Sequence, residues 1–326
     1  MLLQIKNLKV KYGNTEVVRG VDLDIDKGEC VGLVGESGCG KTTVGLSIAK
    51  LIPERKGIIS GEILFEGRDL LKSNPEELRN MRGKKISYVF QEPFGSLNPV
   101  FTIYEQLRES FEEKDGADSR IAEILKNVGL EKIIGKKNIY PYELSGGMQQ
   151  RIMIGMAIAS NPSLIILDEP TTALDVTVQR QILDLIAGLK NNMDLAILFI
   201  SHDLRVVFDM ADKIGIMYAG KIVECGPKES IVPEPAHPYT IGLIDSIPSF
   251  KHRKKTFNAI EGKAPLFSDL PGGCKFYPRC RFRIDKCAEK EPALFNVSEG
   301  RFARCILTSE TAARRLPKSD RSIWSY

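Results

Sequence analysis

The chain has 326 residues, 43% hydrophobic and 27% charged, the balance of an ordinary globular protein rather than a disordered or fibrous one. Its 46 basic residues against 42 acidic ones leave a charge of +4, too mild an excess to mark a nucleic-acid binder or a charged tail. No apolar run nears the roughly 20 residues that a membrane span needs, and the start lacks the charged and apolar regions of a secretory signal, so the reading is a cytosolic protein whose membrane role comes through a partner.

In chain order, Leu3–Leu8 and Val21–Ile25 alternate as strands do, with turns at Gly13-Asn14 and Asp26–Gly28. Cys30–Val34 is a continuous apolar strand, followed by a glycine-rich turn and an apolar helix, Val44–Ile52, stopped by Pro53. Strands follow at Gly61–Phe65 and Ile86–Phe90. Residues 103 to 143 read as helical, with apolar positions at Ile121, Ile124, Leu125 and Val128. Two more buried strands, Leu164–Leu167 and Leu195–Ile200, alternate with helices such as Val178–Leu189. This alternation predicts an α/β fold around a mainly parallel, helix-flanked sheet. Near residue 231 the composition shifts toward proline, and Lys251–Lys255 is a basic run. The tail reads as an appended module with little regular structure.

Gly35-Glu36-Ser37-Gly38-Cys39-Gly40-Lys41-Thr42 fits the phosphate-binding loop G-x-x-x-x-G-K-[ST], between an apolar strand and an apolar helix as its mechanism demands. Glycines let successive backbone N–H groups curl around a phosphate, and the helix adds its positive end. Lys41 supplies a charge to the β- and γ-phosphates, and the Thr42 hydroxyl can ligate Mg²⁺. Downstream, Leu164–Leu167 ends in Asp168 and Glu169. The first carboxylate can hold the Mg²⁺ coordination shell, and the second can orient or deprotonate a water. Four of the seven cysteines, Cys274, Cys280, Cys287 and Cys305, crowd into the last sixth of the chain. Their spacing suits a tetrahedral zinc or an iron–sulfur cluster without choosing between them; the absence of a C-x2-C knuckle counts mildly against zinc.

With Leu144-Ser145-Gly146-Gly147-Met148-Gln149-Gln150 between them, the loop and the Asp168-Glu169 strand end resemble an ABC-type ATPase over residues 1–245. The resemblance implies a P-loop cassette with a RecA-like parallel core, an antiparallel β subdomain and a helical subdomain at about 100–160. It gives ATP and Mg²⁺ as cofactors, with Gly35, Ser37, Gly38, Cys39, Gly40, Lys41, Thr42 and Thr43 around the phosphates. Tyr12 matches the aromatic stacking on adenine. Gln91 matches the glutamine that senses Mg²⁺ and couples to the membrane subunit, Asp175 the loop crossing a dimer interface, and His202 the switch histidine. Ser145, Gly146 and Gly147 would act on ATP held by a partner cassette. Catalysis would fall to Glu169, His202, Gln91 and Lys41, and Mg²⁺ to Thr42, Gln91 and Asp168.

Phe90–Pro99, His237-Pro238-Tyr239-Thr240 and Gly273–Cys280 resemble the oligopeptide/dipeptide importer ATPase subfamily. In that subfamily, an extension (here 246–326) carries four cysteines on a 4Fe–4S cluster. The resemblance implies two permease subunits, a second ATPase chain (favouring a heterodimer over a homodimer), an extracellular solute-binding protein reached indirectly, and a place at the cytoplasmic face of the membrane. A competing reading is a soluble ABC ATPase acting on nucleic acid or ribosomes, motivated by Lys251–Lys255 and by Lys275, Arg279, Arg281, Arg283 and Lys286. It lacks a coiled-coil insertion and a second cassette, so no nucleic-acid partner is expected. A third reading, a regulatory subunit with a dead site, conflicts with the intact Lys41, Asp168, Glu169 and His202.

Overall fold

A computed structural model describes residues 1–91, 93–111, 115–172, 174–247 and 260–308. The basic run Lys251–Lys255, and Glu92 of the Phe90–Pro99 stretch, lie outside them. In chain order the elements are β1 (Leu3–Tyr12), β2 (Thr15–Ile25), β3 (Cys30–Val34), α1 (Lys41–Ile48), β4 (Ile58–Phe65), β5 (Arg68–Asp69), α2 (Pro75–Met81), β6 (Ile86–Val89), α3 (Pro93–Ser96), α4 (Ile103–Glu109), α5 (Ala117–Asn127), α6 (Gly146–Ile158), β7 (Leu164–Asp168), α7 (Val176–Met193), β8 (Ala196–Ser201), α8 (Leu204–Met210), β9 (Lys213–Tyr218), β10 (Lys221–Pro227), α9 (Lys228–Ile231), α10 (Pro238–Asp245), α11 (Lys286–Glu289), β11 (Phe295–Ser298) and β12 (Arg301–Ala303).

They form two sheets. One is antiparallel in the order β2-β1-β4-β5; the other runs β11-β12-β10-β9-β3-β8-β7-β6. In the second, β9, β3, β8, β7 and β6 are parallel. Every residue of β3, β7 and β8 is buried, as expected of strands covered on both faces. One apolar cluster joins the antiparallel sheet to the core through Val44, Ile48, Leu33 and Ile166. The other runs from the core into α4, α5 and α6, through Leu107, Ile121, Ile124 and Ile152. The anticipated α/β core, antiparallel subdomain and helical subdomain are thus all present.

Three local expectations change. Helix α1 ends at Ile48 rather than Ile52 because Lys50 turns left-handed (φ +47°). The Leu51 N–H then closes on the Leu46 carbonyl (2.8 Å), ending the helix before Pro53 is reached. The segment 103–143 is interrupted, since Gly129 and Gly135 take positive φ and leave only 3-10 turns beyond α5. The tail is also more regular than expected. Its hairpin β11–β12 extends the main sheet, with Glu224 opposite Ala303 and Cys225 opposite Phe302.

Candidate functional site

The phosphate loop connects β3 to α1 at the carboxyl end of the parallel strands, where open α/β sheets bind ligands. Its backbone permits no side chain at two points. A Cβ on Gly35 would lie 2.2 Å from the Met217 carbonyl oxygen, and Gly40 caps α1 at φ +107° against the Val17 carbonyl. Lys41 is buried, and its ammonium donates to the carbonyls of Gly35 (2.7 Å) and Glu36 (3.1 Å), so the loop wraps its own cation. Ser37, Gly38 and Thr42 are exposed, whereas Cys39 tucks under the loop and burial pushes its thiol pKa up. Thr43 accepts the Ser47 hydroxyl through its carbonyl (2.6 Å).

Strand β7 carries Asp168 and Glu169 to the same point. The Thr42 hydroxyl donates to Asp168 Oδ1 (3.1 Å) and the Tyr88 hydroxyl to Oδ2 (2.8 Å). Burial raises the Asp168 pKa, while these two hydrogen bonds oppose the rise. Glu169 is bent out of the strand in the left-handed region (φ +49°), with its N–H on the Ile200 carbonyl (2.9 Å). A non-glycine residue there is strained, and such strain concentrates at functional sites. Its Oε2 accepts Gln91 Nε2 (3.1 Å) and Thr172 Oγ1 (3.0 Å) and lies 3.1 Å from His202 Nδ1. A carboxylate only accepts, so Nδ1 carries the proton in that pair. Gln91, His202 and Glu169 therefore meet on one oxygen, and Lys41, Thr42 and Asp168 stand beside them. Tyr88 and Thr172 were missed; neither belongs to a motif, and only the β6–β7 pairing brings Tyr88 to Asp168.

Tyr12 closes β1, half-buried, with its ring against Gly57, in the hairpin whose Val17 touches Gly40. Ser145 caps α6 by accepting the Met148 N–H (3.4 Å), and Asp175 caps α7 by accepting that of Val178 (2.9 Å). These two helix starts adjoin, since a Cβ on Gly147 would strike Val178. With Gly146 they form a second group, whose side-chain hydrogen bonds stay on their own helices. Beside Gln91 opens a largely apolar cleft of about 540 Å³, lined by Tyr88, Phe90, Leu97, Phe111 and Met153 among others.

In the tail, Cys280, Cys287 and Cys305 are buried, Cys274 is half-buried, and all four are free thiols. Burial, with the neighbouring thiols adding, pushes Cys305 up to about 12 and Cys280 up to about 11. The Cys274 N–H donates to the Cys287 carbonyl (2.8 Å). The four thus gather in one module. Yet among the described residues no group of three or more His, Cys, Asp or Glu side chains is arranged to hold a metal ion, so the expected metal-binding module is not formed as a ligand cage. Several of the basic side chains nearby are already engaged: Arg279 with Glu36, Arg281 with Asp245, and Lys275 with the Pro271 carbonyl.

A phosphate loop at the strand ends, an acidic pair on β7 and a serine-capped Ser-Gly-Gly helix define an ATP-binding cassette. The ABC transporter signature matches residues 18–172, and that of the oligopeptide/dipeptide transporter C-terminal region matches 223–287. The dimeric ATP-binding cassette MJ0796, solved with ADP and phosphate in a post-hydrolysis state, superposes with a TM-score of 0.61 at 29% identity, over 70% of this chain and 99% of that one. The oligopeptide transport ATP-binding protein OppD of Bacillus subtilis is 41% identical over 97% of this chain and 91% of its own length. The dipeptide transport ATP-binding protein DppD of Escherichia coli is 39% identical over 96% and 98%. The chain belongs to the family of ATP-hydrolysing, ATP-binding subunits of oligopeptide/dipeptide ABC transporters.

Proposed function

We propose that this chain energises import of di- or oligopeptides by binding ATP between its phosphate loop and the Ser145-Gly146-Gly147 element of a second cassette, and hydrolysing it. The observation that carries the reading is the convergence of Gln91, Thr172 and His202 on one oxygen of Glu169, beside Lys41 and Asp168. In this reading Lys41 releases its loop carbonyls to meet the β- and γ-phosphates, and the exposed Ser37, Gly38 and Thr42 with the half-buried Thr43 complete the cradle beside Gly35, Cys39 and Gly40. Tyr12 stacks on adenine. Glu169 polarises the attacking water, oriented by Gln91 and by the His202 proton. Ser145, Gly146, Gly147 and Asp175 serve the partner's nucleotide, where a serine hydroxyl and helix N-terminal amides favour γ-phosphate charge.

The hard oxygens of Thr42 and Asp168 suit Mg²⁺, with Gln91 at its edge. When bound, the ion neutralises charge on the phosphates. The apolar cleft beside Gln91 fits a permease subunit, which would couple transport to this oxygen cluster. Among the described residues no helix is long and apolar enough to cross a membrane, so attachment at the cytoplasmic face would run through two permeases. We take the second cassette to be a related but different chain, the solute-binding protein to act from outside, and the division to be a cassette of 1–245 followed by an extension of 246–326. Replacing Glu169 by Gln removes the base while keeping the hydrogen bonds. ATP binding should persist while turnover falls on the order of 100-fold or more; undiminished hydrolysis would refute the assignment.

For the extension we propose a 4Fe–4S cluster on Cys274, Cys280, Cys287 and Cys305. Its support is four unpaired thiols gathered in one module. A single zinc held by the same four thiolates is the alternative. Protein purified without air should contain iron and sulfide in equal amounts, and zinc in their place would overturn the proposal.

A further inference from the structure

The second residue of the phosphate loop is gripped from the far end of the sequence. Arg279 approaches Glu36 as a fork, Nη1 on Oε2 (2.6 Å) and Nη2 on Oε1 (2.9 Å), across 243 residues of chain. The arginine side chain is only 6% exposed. Its own position is fixed by the carbonyls of Glu261 (2.9 Å) and Gly262 (3.1 Å) and by Tyr218 beneath it. Glu36 is held at its backbone as well. Its N–H donates to the Tyr239 hydroxyl (2.9 Å), and its carbonyl accepts Lys41 Nζ (3.1 Å) and the Cys39 N–H (3.3 Å). Tyr239 is buried against Tyr218 and Phe276, with ring centroids 4.7 and 5.4 Å away. Phe276 and Arg279 both lie between Cys274 and Cys280. One face of the loop is therefore built from the cysteine-bearing module, and the same glutamate that takes the arginine also shares its carbonyl with the phosphate-binding lysine.

The motif pattern leaves the second loop position free, and a charged side chain there has no role toward the phosphates. A bidentate arginine–carboxylate pair, by contrast, fixes both partners in geometry. We propose that Arg279 is a positioning residue for ATP hydrolysis: from the tail module it clamps Glu36, and through the Glu36 backbone it holds the phosphate loop in the curl that receives ATP. The tail is thereby part of the nucleotide site, and disorder in the module loosens the loop. The proposal deepens the ATPase reading above and rests on it.

The test uses the full-length chain and two readouts: steady-state ATP hydrolysis, and hydrogen exchange of the peptide covering residues 35–42. Arg279→Ala should raise KM for ATP roughly tenfold, the cost of losing charge-assisted hydrogen bonds at a binding step. Its kcat should stay within about twofold, because the loop binds ground and transition states alike. Glu36→Gln should behave the same way, and the double variant should lose no more than either single one, as partners in one interaction do. Arg279→Lys should recover part of the loss, since an ammonium makes one of the two bonds. Exchange in 35–42 should quicken in Arg279→Ala and stay unchanged in the distant α5. That readout needs no turnover, so the clamp is judged separately from the assignment of Glu169. An unchanged KM and unchanged loop exchange would overturn the proposal. So would losses that add in the double variant, or exchange that quickens evenly throughout the molecule. Should Arg279→Ala fail to fold, Arg279→Lys and Glu36→Gln carry the same comparison.

Discussion

His237 is buried at the start of α10, where its Nδ1 accepts the Tyr239 N–H at 3.0 Å. An accepting Nδ1 makes the ring neutral, and burial holds its pKa down at about 3. The unfolded chain, with an ordinary imidazole near pH 6.5, binds a proton that the folded protein refuses. Stability from this group is therefore full above about pH 6.5 and falls as the pH drops toward 3. Between pH 7 and pH 5 the loss should be about 2 kcal/mol by linkage. His237→Asn keeps an N-cap acceptor and has nothing to titrate, so its urea midpoint should move less over that range. An equal pH dependence in both proteins would sink this account. The residues that sequence alone picked out are of a different kind. Lys41, Thr42, Asp168 and Glu169 lie in short runs whose chemistry is local, Gln91 and His202 come from the family resemblance, and the six stand together around Asp168 and Glu169. Tyr88, the Glu36–Arg279 fork and His237 as a buried cap depend on partners that only folding supplies, so no spacing announces them.

Elements were legible where their pattern was strong. The buried strands β3, β7 and β8 could be read nearly to the residue, because burial on both faces leaves a continuous apolar run, broken only at the ends by Asp168 and Ser201. The start of α7 is fixed by the Asp175 cap, and α4 by reciprocal bonding between Thr102 and Glu105. Ends set by backbone conformation were harder. Lys50 closes α1 in a left-handed turn that lysine does not advertise, and the visible Pro53 drew the expected boundary too far. Helix α8 has only seven residues, about two turns over which helical periodicity barely shows, and in β9 and β10 lysine, glutamate and glycine interrupt the apolar run. The hairpin β11–β12 was obscured by the proline-punctuated stretch before it, which ends at Pro292. Its strands are four and three residues long, and they exist because β10 presents an edge that would otherwise stay unpaired.

Beside that edge, three side-chain ties hold the tail to the cassette. Arg279 grips Glu36, Glu291 accepts from both Arg19 (3.0 Å) and Lys221 (2.7 Å), and Arg301 reaches Glu224 at 2.9 Å. The third is the most deeply buried. Glu224, with no exposed surface, also accepts the N–H groups of Ala236 (2.8 Å) and His237 (2.9 Å) and the Thr240 hydroxyl (2.6 Å). A single carboxylate on β10 thus fastens the start of α10 and, through Arg301, strand β12. Burial raises the Glu224 pKa, while Arg301 and the hydrogen bonds act to lower it. Removing the arginine leaves the carboxylate buried without its cation, which costs on the order of 3–5 kcal/mol. Arg301→Met should therefore lower stability by about that much near neutral pH. The sign of the pH dependence follows from the raised pKa. The variant's folded state takes up a proton that the unfolded chain releases, so its deficit should shrink as the pH falls from 8 toward 5. Glu224→Gln in the Arg301→Met background should recover part of the loss at pH 8 and flatten that dependence. Denaturant unfolding of the full chain, followed by a probe in the cassette and another in the tail, supplies the decisive comparison. If the two transitions coincide in the wild type, the ties make one cooperative unit. If the tail melts first and Arg301→Met leaves the cassette transition where it was, Glu224 fastens the tail without supporting the cassette, and the single-unit account fails.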